Sequence, residues 1–533
     1  MIVIPMYIDI VPNRKSPPAI LLRESYRENG QVKKRTLANL SKLPRNTIEC
    51  LRQALLGQAL VVKEALSGAI YGVLFVLNEL ARHCELHRAL GNSRRARLAL
   101  FLVLARIAHP GSRLSAVRWA LDHAVKAVLG LNAFDEDDLY EALDWVALHQ
   151  EAIEDRLYQD HVQRVGQTPA LILYDVTSSY LEGEQNELGA YGYNRDGKKG
   201  KKQIVIGLLT AKDGEPLSVE VFEGNTTDPK TFGSQLDKLA HRFIIKEVVL
   251  VGDRGMIKAD GKDALTQAQF KYITALTDPQ IRKLIRQDVI QPALFDKHVV
   301  EVTHAGKRLI LRRDPATSRK ERHRREDKIE RLKTLIDARN AFVAQSKRAK
   351  PESGWKNLQG WVRRHKLAGF VELRLKDRNI ELQIDEQRQQ QAAWLDGCYC
   401  IESDAPSEHL SKEDIHDRYK DLQKVEQNFR RLKTAFLEVR PIFVRKEHRT
   451  RGHVFIAMLS LKLARLMEKR LQDVFGTTED NPKAETLDSA LMALSRLCLQ
   501  HYTVGDQEII GLPRPDPRQG KILSALKVRL TPP

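Results

Sequence analysis

The sequence predicts an α/β protein in which a mixed sheet follows a helical domain, and three observations carry that reading. Short apolar runs at Ala170 to Tyr174, Ile204 to Leu209, Val219 to Phe222, Val248 to Val251 and Tyr272 to Ala275 have the length and composition of buried strands. A helical stretch from Asp228 to Phe243 interrupts them after the third, the pattern of a mixed sheet. Upstream, apolar residues fall instead at helical spacing, as in Ile70, Leu74, Leu77 and Leu80 and again Leu139, Leu143 and Val146.

Each segment then takes a place in order. Within an N-terminal unit, 1–60, the residues from Ile20 to Leu40 alternate around Glu28-Asn29-Gly30, a β-hairpin with an Asn-Gly tip. Residues 61–166 form the helical domain, broken at Pro110-Gly111 and at the acidic run Asp135 to Asp138, whose charges suit the N-cap and first turn of the next helix. The first part of the core spans 167–290. An insertion over 291–392 holds a basic, exposed helical stretch, Arg312 to Lys350, and a strand region, Leu367 to Ile384. The second part of the core, 393–440, has a strand at Trp394 to Ile401 and one long amphipathic helix, Ser411 to Ala435. Helices at Val454 to Leu471 and Thr486 to Leu499 and a Pro-rich tail complete a C-terminal region over 441–533.

Length and charge narrow the class of function. A chain of 533 residues is three or four domains' worth. Lys and Arg number 87 against 69 Asp and Glu, a formal +18 that attracts a polyanion and makes nucleic acid the first partner to test. Hydrophobic residues at 42% exclude wholesale disorder. Five scattered cysteines, Cys50, Cys84, Cys398, Cys400 and Cys498, suit a reducing compartment, so a cytoplasmic protein is expected. Met1 to Pro12 is broken by Pro5, Asp9 and Pro12 and lacks a basic leader, and Ala65 to Asn78 is too short to cross a bilayer; neither a signal peptide nor a membrane segment is expected.

Two carboxylates end two apolar runs: Asp175 after Leu171 to Leu173, and Asp253 after Val248 to Val251. An acid directly after a core strand must meet solvent, a cation or a metal, and strand ends of open α/β sheets are where ligands gather. Either acid taken alone reads more readily as a turn cap. A third acid comes from the helix Ser411 to Ala435, where Tyr419, Glu426 and Lys433 stand seven residues apart and share one face. The stripe Ile415, Leu422, Val425, Phe429 and Leu432 places Glu426 at the edge of the packing surface. Three oxygen donors of this kind suit Mg²⁺ or Mn²⁺, and a pair of such ions serves in-line displacement at phosphorus.

The ordered set resembles the DDE transposases of bacterial insertion sequences, specifically the insertion-sequence-four superfamily. The resemblance rests on Tyr174-Asp175-Val176-Thr177-Ser178-Ser179, on Gly192-Tyr193-Asn194-Arg195-Asp196 ahead of Gln203 to Leu208, and on Gly224-Asn225-Thr226-Thr227-Asp228. It rests too on Gly252-Asp253-Arg254-Gly255-Met256 and on Val425 to Lys433, and it covers roughly Ile20 to Leu471. It implies a ribonuclease-H-like mixed-sheet catalytic core with an insertion before the catalytic glutamate helix. It further implies Asp175, Asp253 and Glu426 as catalytic metal ligands for two Mg²⁺ or Mn²⁺ ions, and Tyr419 and Lys433 as contacts to DNA phosphates. The expected activity is cleavage at the element's ends and strand transfer into target DNA, with double-stranded terminal repeats and target as partners and a homodimer on DNA. One position departs: where the family's signature has arginine, three residues after its tyrosine, this chain has Leu422, and Arg430 and Arg431 are candidates to replace it.

Other basic clusters are candidate DNA contacts. Arg195 to Lys202 holds five basic residues and one acidic one, with Lys198, Lys199, Lys201 and Lys202 as phosphate contacts; its alternative is a solvated hairpin tip. Arg312 to Lys350 holds fourteen and six, Arg430 to Arg451 eight and two, and these three segments carry the whole net excess. The insertion reads as a DNA clamp, a subunit contact or a solvated helix pair, and Arg94, Arg95, Arg97 and Arg113 offer backbone contacts in the helical domain. Cys398 and Cys400 with His409 and His416 match no tetrahedral zinc spacing. No ATP site is expected, since neither Gly189 to Gly192 nor Gly252 to Gly255 has the Gly-rich strand-to-helix context of a nucleotide fold. Two rivals stay open at this level: a non-catalytic DNA-binding relic, and a metal-dependent nuclease without strand transfer.

Overall fold

The computed structural model describes every residue except 1–5, 14–16, 29, 57–61, 246–247, 255, 347, 435–438, 441, 505–506, 513 and 533. Its contacts divide the chain into two units, one of residues 143–461 and one combining 1–142 with 462–533.

The 143–461 unit is built on an eight-stranded mixed sheet. In chain order its strands are β1 (Leu171–Tyr180), β2 (Gln203–Ala211), β3 (Pro216–Glu223), β4 (Val249–Gly252), β5 (Lys271–Ala275), β6 (Val300–His304), β7 (Lys307–Arg313) and, after an insertion, β8 (Cys398–Ser403). They lie in the order β6-β7-β8-β5-β4-β1-β2-β3. β1, β2 and β3 form an antiparallel meander, while β1, β4 and β5 run parallel. Parallel strands need covering on both faces, and β2 is buried along its whole length. Tyr174 fills the space beside Gly207 on the neighbouring strand, where an added Cβ would stand 2.5 Å from the Tyr174 hydroxyl.

Helix α1 (Gln150–Val165) docks on this sheet through Glu154, 0% exposed, which accepts from the Val219 N–H at 3.2 Å and pairs with Arg242 at 2.9 Å. Tyr158 stacks on Phe243 at 4.2 Å. Between β3 and β4 the predicted helical stretch is α2 (Asp228–Asp237) running into a π-helical turn, Lys238–Arg242.

Two expectations are corrected here. Residues 300–313 are not part of an insertion: β6 and β7 extend the core sheet, and β7 pairs with β8. The inserted material lies between β7 and β8 and comprises α3 (Pro315–Gln345), α4 (Pro351–Arg364) and a hairpin of Val371–Lys376 with Asn379–Ile384. Nor is α3 exposed all round, because Ile329, Leu332 and Ile336 bury one stripe against Leu358, Val362 and Phe370 in a small core of their own.

The helix expected over Ser411 to Ala435 is two, α5 (Lys412–Lys420) and α6 (Leu422–Lys433), and residue 435 lies outside the described residues. Asp421 joins them with helical angles and pairs with Arg418 and Lys424. Ser411 caps α5, accepting from the Asp414 N–H at 3.0 Å. The apolar stripe Ile415, Leu422, Val425, Phe429 and Leu432 is buried as expected.

In the other unit the hairpin is present, as Ala19–Glu28 paired with Gln31–Asn39; Asn29 of its tip is outside the described residues. A third strand, Met6–Val11, extends it. A second sheet orders Gln507–Gly511, Cys498–Val504 and Val62–Ile70, so Leu499, expected in a helix, lies in a strand. Helices such as Gly72–His83 and Arg94–Ala108 supply the predicted helical domain, and Asp135 accepts from the Asp138 N–H at the start of Glu136–Leu148. Among the described residues, no helix is long and apolar enough to cross a membrane.

Candidate active site

Asp175 lies within β1, which runs on to Tyr180, and not at its end as expected from the apolar run. A strand buried on both faces shows no alternation to mark its end. Asp253 follows β4 directly. Parallel pairing sets Tyr174 opposite Gly252, so the next residues, Asp175 and Asp253, come at neighbouring positions of adjacent chain segments. Helix α6 packs on β1 and brings Glu426 to the same cleft, a cavity of about 380 Å³ also lined by Arg195, Lys433 and Arg440.

The three carboxylates act on one another electrostatically. Burial, then the charges of Asp253 and Glu426, push the Asp175 carboxyl up to about 7, against the opposing pull of the Val176 N–H and Arg195. Glu426 is raised by burial and by Asp253, with Arg430 opposing. Asp175 accepts from the Val176 N–H at 2.7 Å and Asp253 from the Arg254 N–H at 2.6 Å. Among the described residues no group of three or more acid, histidine or cysteine side chains is gathered closely enough to hold a metal ion. The donor set nevertheless suits a hard divalent cation: three carboxylates line one cleft, and their mutual repulsion is what bound positive charge relieves.

The residues named as DNA contacts are differently placed. Tyr419 donates to Asp253 Oδ1 at 3.3 Å, and its hydroxyl pKa is raised by burial and by that carboxylate. Lys433 pairs with Asp196 at 2.9 Å, and burial lowers its pKa against the pull of that acid. Arg430 is exposed on the edge of the cleft. Beyond the cleft, Lys198 lies over the Tyr180 ring at 5.8 Å, Lys201 pairs with Glu182 at 2.8 Å, Lys202 donates to the Glu184 carbonyl at 3.0 Å, and Lys199 is exposed. Arg195 is clamped by Asp228, with Nη2 2.7 Å from both carboxylate oxygens.

Sequence reasoning missed Asp196 and Arg440, which meet inside the cleft. A second cavity of about 620 Å³ adjoins the insertion, lined by Arg254, Arg282, Arg324, Arg325, Lys328 and Lys366 among others; Arg254 lines both cavities. Gly255 is outside the described residues. In the other unit, Arg94 and Arg95 pair with Asp138 and Glu141, Arg97 donates to the Gly130 carbonyl, and Arg113 is buried over Tyr140. Cys398 and Cys400 are buried free thiols, pushed up to about 11 and about 12 by burial, while His416 is engaged by Tyr399 and Asp417.

Comparison with known proteins now adds the family. Residues 166–463 match the model of the transposase DDE domain, more than half of the chain, and residues 8–65 match the N-terminal domain of IS1634 family transposases. No curated protein matches. Among solved structures, a cryo-EM structure of a piggyBac transposase synaptic complex with hairpin DNA is 10% identical, with a TM-score of 0.34, covering 79% of this chain and 75% of that one. The chain belongs to the DDE transposases and is an insertion-sequence transposase, an enzyme of metal-dependent DNA cleavage and strand transfer.

Proposed function

We propose that Asp175, Asp253 and Glu426 are the catalytic carboxylates of this transposase and hold two Mg²⁺ or Mn²⁺ ions. The observation that supports the reading most is the shared cleft, in which the charge of Asp253 helps raise both the Asp175 and the Glu426 carboxyls. Their order on a strand, a strand and a helix, with an insertion before the helix, fits a ribonuclease-H-like core. In-line displacement at phosphorus is the chemistry that a divalent pair supplies in such a site, activating a water or 3′-hydroxyl and stabilising the leaving oxygen.

The chain's own groups bind and orient. Tyr419 holds Asp253 by its hydroxyl, the Val176 N–H holds Asp175, and α6 carries Glu426 against β1. Lys433, Arg430 and the exposed lysines of 198–202 take phosphates, positioning the strand without reading its sequence. Arg254, common to both cavities, continues the phosphate path from the cleft toward the insertion. Two element ends held together call for a homodimer on the double-stranded terminal repeats and target.

Incubating the protein with end-containing DNA, Mg²⁺ and a target plasmid tests the reading. Joined products are expected. Nicks alone would indicate a nuclease, and binding alone an inactive relic.

A further inference from the structure

Lys433 and Arg440 do not enter the cleft as independent side chains. Both converge on one carboxylate, Asp196, whose side chain is 2% exposed. Its Oδ1 accepts from Lys433 Nζ at 2.9 Å and also from Arg440 Nη1, while its Oδ2 takes the Tyr180 N–H at 3.1 Å. Arg440 Nε donates to the Lys433 carbonyl at 3.0 Å. Tyr180 ends β1, the strand of Asp175, and Lys433 ends α6, the helix of Glu426. One buried acid therefore ties together the two elements that bring two of the cleft's carboxylates into place.

Stability is a poor explanation for such a cluster, because desolvation of buried charges offsets most of their attraction. Geometry is the better one. Two cations on one carboxylate leave a net positive charge in a cleft that is also lined by four other acids, Asp175, Asp228, Asp253 and Glu426. Lys433 and Arg440, with side chains 10% and 32% exposed, keep part of their surface toward the cavity they line. Arg195, next to Asp196 in sequence, is taken up by Asp228 and leaves that carboxylate to the other two.

We infer that Asp196 is a positioning residue: it holds Lys433 and Arg440 as a preorganised pair that takes a phosphodiester oxygen of the DNA strand in the cleft. The guanidinium presents a planar set of donors suited to phosphate and the ammonium a point charge, so the pair combines direction with charge. Holding the cations before the strand arrives removes the cost of ordering them at the moment of reaction. The inference rests on the cleft being the site of DNA cleavage.

Three variants test it, each assayed for single-turnover cleavage, end-DNA affinity and thermal stability in the full chain. Asp196→Asn keeps an acceptor for the Tyr180 N–H but removes the charge; cleavage is expected to fall tenfold or more while affinity changes less than twofold. Arg440→Gln is expected to lose as much, and the double variant no more than the worse single one, as for residues that act as a unit. Arg440→Lys recovers part of the rate. Wild-type cleavage by Asp196→Asn or Arg440→Gln, or losses that multiply in the double variant, would overturn the inference. If Asp196→Asn fails to fold, the two Arg440 variants decide alone: wild-type cleavage by Arg440→Gln overturns the inference, and a loss that Arg440→Lys partly restores supports it. An unmodified protein that binds the ends without cleaving them would overturn the reading of the cleft itself, a separate result.

Discussion

Asp175 is the residue at which site chemistry and folding oppose each other most directly. Its carboxyl, raised to about 7, holds a proton in the folded chain that the unfolded chain gives up near 4. The folded state thus binds more protons between those values, and stability without metal falls as pH rises from about 4 through 7. Asp175→Asn removes this half-buried charge, so its thermal midpoint at pH 8 should exceed wild type by a few degrees, with the gap closing below pH 5. The same proton competes with a cation, and Mg²⁺ affinity measured by calorimetry should weaken as pH drops below about 7. A wild-type midpoint above that of Asp175→Asn at pH 8 would contradict both. The proposed triad was readable as a candidate because each acid sits in a distinctive local context, Tyr174 to Ser179, Gly252 to Met256 and Val425 to Lys433. Asp196 was not: it lies among five basic residues, and its partners come from positions 433 and 440, which only the fold brings near.

At the scale of elements, the turn that carries Asp196 is seated by close backbone packing. An added Cβ on Gly224 would stand 1.9 Å from the Gln203 carbonyl oxygen, and one on Gly192 would stand 2.2 Å from the Gly224 carbonyl oxygen. Gly224→Ala must shift the start of β2 and should cost about 3 kcal/mol or more in urea unfolding. Gly233→Ala, in α2 with open space around it, should instead stabilise by about 0.5–1 kcal/mol. Equal midpoints for the two variants would refute the packing argument. Helices with a clear apolar stripe and strands with apolar runs were readable from the residues themselves. The break at Asp421 was not, because the stripe from Ile415 to Leu432 passes through it unchanged. Strands β6 and β7 were hidden for a different reason: they belong to the core only through pairing with β8, some ninety residues later in the chain. Val62–Ile70 likewise finds its partner at Cys498–Val504, a pairing with no local signature.

For the whole molecule, the formal +18 is a net figure and does not say which cations meet DNA. Some basic residues are engaged within the fold, among them Arg449 with Asp144 and Arg451 with Glu447. What stays exposed, including Lys198 and Lys199 and much of α3, supports an affinity for duplex DNA that falls steeply with salt. A logarithmic salt slope of about −5 or steeper is expected, shallower by about 1 in Lys198→Ala if that residue meets a phosphate. A slope shallower than about −2 would place the exposed charge outside the DNA path.

The claim on which the rest depends is that Asp175, Asp253 and Glu426 jointly hold the catalytic ions. Anomalous scattering from Mn²⁺ in crystals of the protein with end DNA measures this most directly. Peaks within about 2.1–2.3 Å of oxygens from all three carboxylates are predicted, lost in Glu426→Gln together with strand transfer. Mn²⁺ bound elsewhere in a protein that still transfers strands, or strand transfer retained by Glu426→Gln, would contradict it.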